Sequence, residues 1–300
     1  MNRTAELVLR SDTLEAVLLP ELGGRIHRLR AFGTDLLRTP DDPAVHATDP
    51  FSWGAYLMAP WCNRVRPGPM RVAGMTVDLS PNFADGSAIH GQVYARPWQV
   101  AADGTLNVTG GGGDDGWPWP YEVAASVSIE GPSLALDYRL TNRSDHAMPG
   151  GIGLHPWFRG PLAIRLPAES VYGANVGSPP RAEPVAREHD LRVARVAEPG
   201  LDATWTDFTA PHIELAWPDD GIAAVIEVEA PHVLVAIATP ARSDAVAVEP
   251  QTHGPDGLRR LVNGEPDPLA VVAPDETLRL ALRLTFERAR AFGRDRCGYG

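Results

Sequence analysis

The stretch Leu278-Arg279-Leu280-Ala281-Leu282-Arg283-Leu284-Thr285-Phe286 decides the fold class. Leucine or phenylalanine fills every second position, and arginine, alanine or threonine fills the rest. Successive side chains of a strand point to opposite faces, so this run reads as a half-buried β-strand with one solvated face. Upstream the period repeats. In residues 121–129, Val123, Ala125, Val127 and Ile129 share a face; after Glu130-Gly131-Pro132-Ser133, Leu134, Leu136, Tyr138 and Leu140 do so again, which predicts a hairpin. Runs at 7–9, 14–19 and 24–29 precede a turn at Phe32-Gly33-Thr34-Asp35. Residues 222–229 and 233–239 read as a further strand pair around Ala230-Pro231-His232. No 3.6-residue period lasts beyond about ten residues. The nearest approach, 181–196, is interrupted by Pro184. Together these signals predict an all-β protein, a large antiparallel β-sandwich. No internal repeat or linker divides it, so one domain is expected over 1–300, with a core at about 7–286 and a fraying tail at 287–300.

Composition narrows the chemistry. The chain has 300 residues, 44% hydrophobic and 22% charged, enough apolar material for a sizeable core. Its 27 basic residues are all arginine, against 38 acidic ones. Without lysine there is no Schiff base, no PLP anchor and no P-loop lysine. A net charge of −11 disfavours nucleic acid and anionic membranes, because both partners call for a positive field. The expected partner is a small, roughly neutral molecule. Cys62 and Cys297 match no metal spacing and read as two reduced thiols. No apolar leader and no run near the ~18 residues of a membrane span is present, so a cytoplasmic location is expected. The Asn-x-Ser/Thr triplets at Asn2, Asn107 and Asn142 carry no weight without a secretory signal.

Several motifs invite chemistry. Residues 110–113 are four glycines followed by Asp114-Asp115; two carboxylates would repel a phosphate, so a flexible hairpin tip is the better reading. The nine histidines are scattered, with neither His-x-His nor His-Glu-x-x-His, so no metal site is expected. Eight tryptophans can stack on sugar rings, but core packing competes for each of them. In four places polar residues interrupt apolar runs: Asn63-Arg64 beside Trp61, His90-Gly91, His155 within Gly151–Phe158, and Glu249 ending Ala245–Glu249. Taken singly, His155 reads as a satisfied core histidine and Glu249 as a strand-end carboxylate. Buried ionisable groups are costly unless paired, which makes their recurrence at strand ends informative.

Asn63-Arg64, His90-Gly91, Leu154-His155-Pro156-Trp157-Phe158, Gly200-Leu201-Asp202 and Glu249-Pro250-Gln251-Thr252, in this order, resemble the aldose 1-epimerase (galactose mutarotase) family. The opening LLPELGGRIHRLRAFGTDLL of residues 18–37 is similar too, and the resemblance spans roughly residues 7 to 286. It implies a β-sandwich whose concave face holds a sugar, and mutarotation of a free aldose such as glucose or galactose without cofactor. It further implies Glu249 as base at the C1 hydroxyl and His155 as acid at the ring oxygen. Sugar contacts fall to Arg64, His90 and Asp202, with Asn63 and Trp157 as weaker candidates and Asp207 as an alternative to Asp202. Trp157 stands where the family more often has tyrosine. Three other readings compete: a hexose-6-phosphate 1-epimerase using Arg66, Arg71 or Arg96 for phosphate, a sugar-binding or sensory protein without turnover, and a lyase or hydrolase. A hydrolase would call for two carboxylates about the bond, and only Glu249 and Asp202 are on offer.

Overall fold

The computed structural model describes residues 5–113, 115–174, 177, 179–210, 212–241 and 244–289. Asn2, Asp114, Cys297 and the tail beyond 289 lie outside the described residues. Two large antiparallel sheets dominate. In the nine-stranded sheet, Thr277–Arg288 lies between Ser133–Asn142 and Ile222–Glu229, while Tyr121–Glu130 pairs with the far side of Ser133–Asn142. The decisive run behaves as its period requires: Leu278, Leu280, Leu282, Leu284 and Phe286 are buried, and the residues between them are not. The hairpin of Tyr121–Glu130 with Ser133–Asn142 forms across the turn at Gly131.

The eleven-stranded sheet carries, side by side, Arg25–Ala31, Ala55–Met58, Gly153–Arg159, Ala245–Gln251, Leu234–Ala238 and Asp202–Phe208. Leu154, Pro156, Phe158 and Pro250 point from it into the same interior as Leu134, Leu136, Ile226, Leu282 and Leu284 of the other sheet. A single buried cluster thus joins the two layers. Alternation then puts His155, Trp157 and Glu249 on the opposite face of the eleven-stranded sheet, turned away from that core.

Three expectations need correction, and one element went unread. Ile222–Glu229 and Leu234–Ala238 are both strands but not partners: the first belongs to the nine-stranded sheet, the second to the eleven-stranded one. A period identifies a strand, not its neighbour. The glycine run does lie in the connection between the paired strands Leu106–Gly110 and Tyr121–Glu130, with Gly112 and Gly113 exposed, but its first half is hemmed in: a Cβ on Gly110 would lie 2.4 Å from the Tyr121 hydroxyl and one on Gly111 1.9 Å from the Trp119 carbonyl oxygen. The tail begins later than 287, since Glu287 and Arg288 still pair with Ala223 and Ile222. Finally, Gly257–Asn263 is an α-helix of only seven residues, too short for its period to show. Among the described residues, no helix is long and apolar enough to cross a membrane.

Candidate active site

Register builds the site. Gly153 pairs with Gln251 and Trp157 with Ala247, which sets His155 opposite Glu249. On one side His155 pairs with Tyr56; on the other Glu249 pairs with Ala236, and Ala236 with Thr204. The register that joins Ile26 to Ala55 adds Arg25 beside Tyr56. One cross-strand row therefore reads Arg25, Tyr56, His155, Glu249, Ala236, Thr204. Two residues along, the next row reads Trp157, Ala247, Ala238, Asp202. The two alanines leave space between an indole and a carboxylate.

A cleft of about 440 Å³ opens over these rows, lined among others by Asn63, Arg64, His90, Trp157, Asp202 and the His155–Glu249 pair. The structure brings all seven implied residues to this one hollow. Asp207 is not among its lining residues. It lies five positions along the strand from Asp202, roughly 16 Å away at strand rise. Sequence reasoning passed over Tyr56, Phe51 and Phe83, which also line the cleft. An aromatic residue in an apolar context looks like core, and no sequence signal separates the two.

The loops over the sheet bring in the remaining groups. Arg64–Val65 pairs with Ala88–Ile89, which sets Asn63 beside His90. Asn63, His90 and Gly91 all have left-handed backbone, at φ 55°, 61° and 72°. Any side chain at Gly91 would strike the Ala59 carbonyl, so His90-Gly91 is a close crossing of two backbones. The His90 amide donates to the Asn63 carbonyl at 3.0 Å, and the Asn63 amide donates to His90 Nδ1 at 3.3 Å. Asn63 Oδ1 accepts from the Arg64 amide at 2.8 Å, and the Arg64 guanidinium pairs with Asp85 at 2.8 Å. Asn63 thus holds the turn that presents Arg64. The Trp157 indole donates to the Phe51 carbonyl, tying the 51–53 segment to the sheet.

His155 Nε2 lies 3.2 Å from Glu249 Oε1, and both side chains are nearly inaccessible to solvent. Burial lowers His155 to about 3 and, with the Asp202 charge adding to it, raises Glu249 well above the usual carboxylate range; Arg64 opposes the rise. His90 is held well below the ordinary histidine range by burial, and further by His155 and Arg64. It is therefore neutral, and because Nδ1 accepts, its proton sits on Nε2.

Donor atoms of His90, His155 and Glu249 lie within 4.8 Å of one another, a spacing that a divalent ion can span. The chemistry of His90 does not fit one. Its Nδ1 lone pair already takes the Asn63 amide and its other nitrogen carries the proton, so neither is free to ligate. The two-carboxylate alternative is also poorly served, because Asp202 is exposed at the cleft edge. Of the arginines considered for phosphate, none lines the cleft: Arg96 pairs with Asp115, Arg66 with Asp256, and Arg71 bonds within its own hairpin. Six tryptophans, Trp61, Trp98, Trp117, Trp119, Trp205 and Trp217, are buried, as their competing reading held.

A sequence model of the family described as Aldose 1-epimerase matches residues 6–285. Among solved structures, the chain is similar to a galactose mutarotase-like protein from Clostridium acetobutylicum, with a TM-score of 0.80 at 16% identity over 94% of each chain. It is also similar to a putative aldose 1-epimerase from Escherichia coli, with a TM-score of 0.78 at 22% identity over 95% of this chain and 99% of that one. A galactose 1-epimerase from Lactobacillus acidophilus gives 0.77 at 17% identity over 95% of each chain. No curated protein matches this sequence.

Proposed function

The chain belongs to the aldose 1-epimerase family, and from that premise we propose that it interconverts the α and β anomers of a free aldose such as glucose or galactose. The observation that carries this reading is the buried His155–Glu249 pair, 3.2 Å apart at the floor of a polar-rimmed cleft. Ring opening needs a base at the C1 hydroxyl and an acid at the ring oxygen. Glu249 takes the C1 proton while protonated His155 gives one to the ring oxygen; after rotation about C1–C2 the two reverse roles and close the ring on the other face.

The electrostatics suit this cycle. An ionised Glu249 beside a protonated His155 and a neutral Glu249 beside a neutral His155 hold the same number of protons. Opening converts the first form into the second, which is the form that burial favours, and closing returns the pair to the first. No proton is gained from solvent or lost to it in a full turnover. Arg64 and neutral His90 supply donors to the sugar oxygens, Asp202 accepts from hydroxyls, and Trp157 offers a stacking face. With Arg64 the sole cleft-lining arginine among the described residues, and paired to Asp85, an uncharged aldose is favoured over a sugar phosphate.

Polarimetry of freshly dissolved α-glucose and α-galactose tests the reading. Wild-type protein should speed the approach to anomeric equilibrium, and Glu249→Gln should lose roughly 10²–10⁴-fold of that rate. If no aldose is accelerated, the protein is a sugar binder or something else; if Glu249→Gln keeps full rate, the base lies elsewhere.

A further inference from the structure

A histidine that moves protons usually has its second ring nitrogen bonded to a carboxylate or carbonyl, which fixes the tautomer and the ring plane. His155 lacks this, since its Nδ1 is buried with no hydrogen-bond partner among the described residues. Apart from the contact of Nε2 with Glu249, its orientation comes from packing. The Tyr56 ring lies directly opposite on the neighbouring strand and stacks on the imidazole at 4.6 Å with 22° between planes. His90 meets the imidazole edge-on at 5.0 Å, and Trp157 is tilted against it at 4.9 Å.

Tyr56 is in turn immobilised. It is fully buried, and the guanidinium of Arg25, the next member of the row, lies 5.5 Å from its ring centre. Arg25 is itself buried and anchored on three backbone carbonyls, those of Leu22, Pro50 and Tyr94, and on His46 Nδ1. The Tyr56 hydroxyl has no hydrogen-bond partner among the described residues. Its contact with His155 is made by the ring.

We propose that Tyr56, backed by Arg25, is the positioning residue for His155, its flat ring holding the imidazole so that Nε2 stays on Glu249. This rests on the epimerase reading for its effect on rate, but the stack itself can be judged without turnover. The titratable and charged groups about His155 are Glu249 on the adjoining strand, His90 from the loop and Tyr56, with Arg64 and Asp202 beyond them and Arg25 behind Tyr56.

Two variants and one spectrum test it. Tyr56→Phe keeps the ring and should leave kcat within about 3-fold of wild type, whereas Tyr56→Leu should lower kcat by roughly 100-fold with KM nearly unchanged, the signature of lost alignment. By NMR, the His155 titration should stay near 3 in wild type and Tyr56→Phe, and rise toward 6.5 in Tyr56→Leu as water reaches the ring. The wild-type His155 ring protons should also show an upfield ring-current shift, so the proposal can be judged even if Tyr56→Leu does not fold. Absence of that shift, a Tyr56→Leu variant with wild-type kcat and titration, or a Tyr56→Phe variant as impaired as Tyr56→Leu would overturn it. If wild type accelerates no aldose, the epimerase reading falls, while the spectrum and titration still decide whether Tyr56 orders His155.

Discussion

Strand Thr277–Arg288 buries one face and gives Arg279, Arg283 and Glu287 to the outside, whereas strand Ala245–Gln251 is buried at all seven positions. The first lies in a sheet with one wet side, the second in a sheet covered on both. On the wet side ionisable groups sit in water and pair with one another, as Asp137 does with Arg139 and Arg279. On the doubly covered sheet a carboxyl and an imidazole are taken out of water, and their proton affinities move in opposite directions. The same backbone architecture thus yields a scaffold on one layer and the proposed reactive surface on the other, and the difference is what covers the second face.

The sharpest way to break this contrast is to remove a proposed proton carrier. His155→Asn should lower the mutarotation rate by roughly 10²–10⁴-fold, measured by polarimetry, while leaving urea unfolding little changed. Loss of both together would mean that His155 is a core residue first. In the nine-stranded sheet the opposite pattern is expected. Leu282→Ala opens a hole in the shared core and should cost about 2–5 kcal/mol of stability, with kcat of the folded protein unaltered.

Acid should distinguish the layers as well. His46, beside Arg25 and His27, is lowered to about 3 by burial and by those two charges; His253, which accepts the Cys62 amide, is lowered to about 4 by burial. A histidine whose folded value lies below its unfolded 6.5 contributes stability that is present above 6.5 and lost as pH falls through 6.5 toward the folded value. At pH 5 each of these two should have given up about 2 kcal/mol. Urea titrations at pH 7.5 and 5 should show that loss, and His46→Gln should shrink it. An equal loss in the variant would remove His46 from the account.

The same covering explains what sequence could and could not tell. Alternation in Tyr121–Glu130, Ser133–Asn142 and Thr277–Arg288 is legible because water lies on one face. Leu234–Ala238 is buried at its first four positions, so its period is silent and its partner had to come from the fold. His155 and Glu249 stood out because a polar residue inside an apolar run is expensive. Tyr56 did not, because nothing local distinguishes an aromatic ring that orders a histidine from one that fills a core.

The smallest effect should come from the wet face. Arg279 reaches Asp137 and Glu229 across the nine-stranded sheet, and Arg139 joins from the side. Burial pushes the Asp137 carboxyl up, but the bonds from Arg279 and Arg139 outweigh it and hold the group below its ordinary value. These charges remain partly exposed, so side-chain entropy and screening offset most of the attraction. Asp137→Asn should therefore cost under about 1 kcal/mol by urea unfolding, less still in high salt, and leave mutarotation unchanged. A loss as large as that of Leu282→Ala would mean that this outer face is covered in solution, and the contrast between a wet layer and a dry one would have to be redrawn.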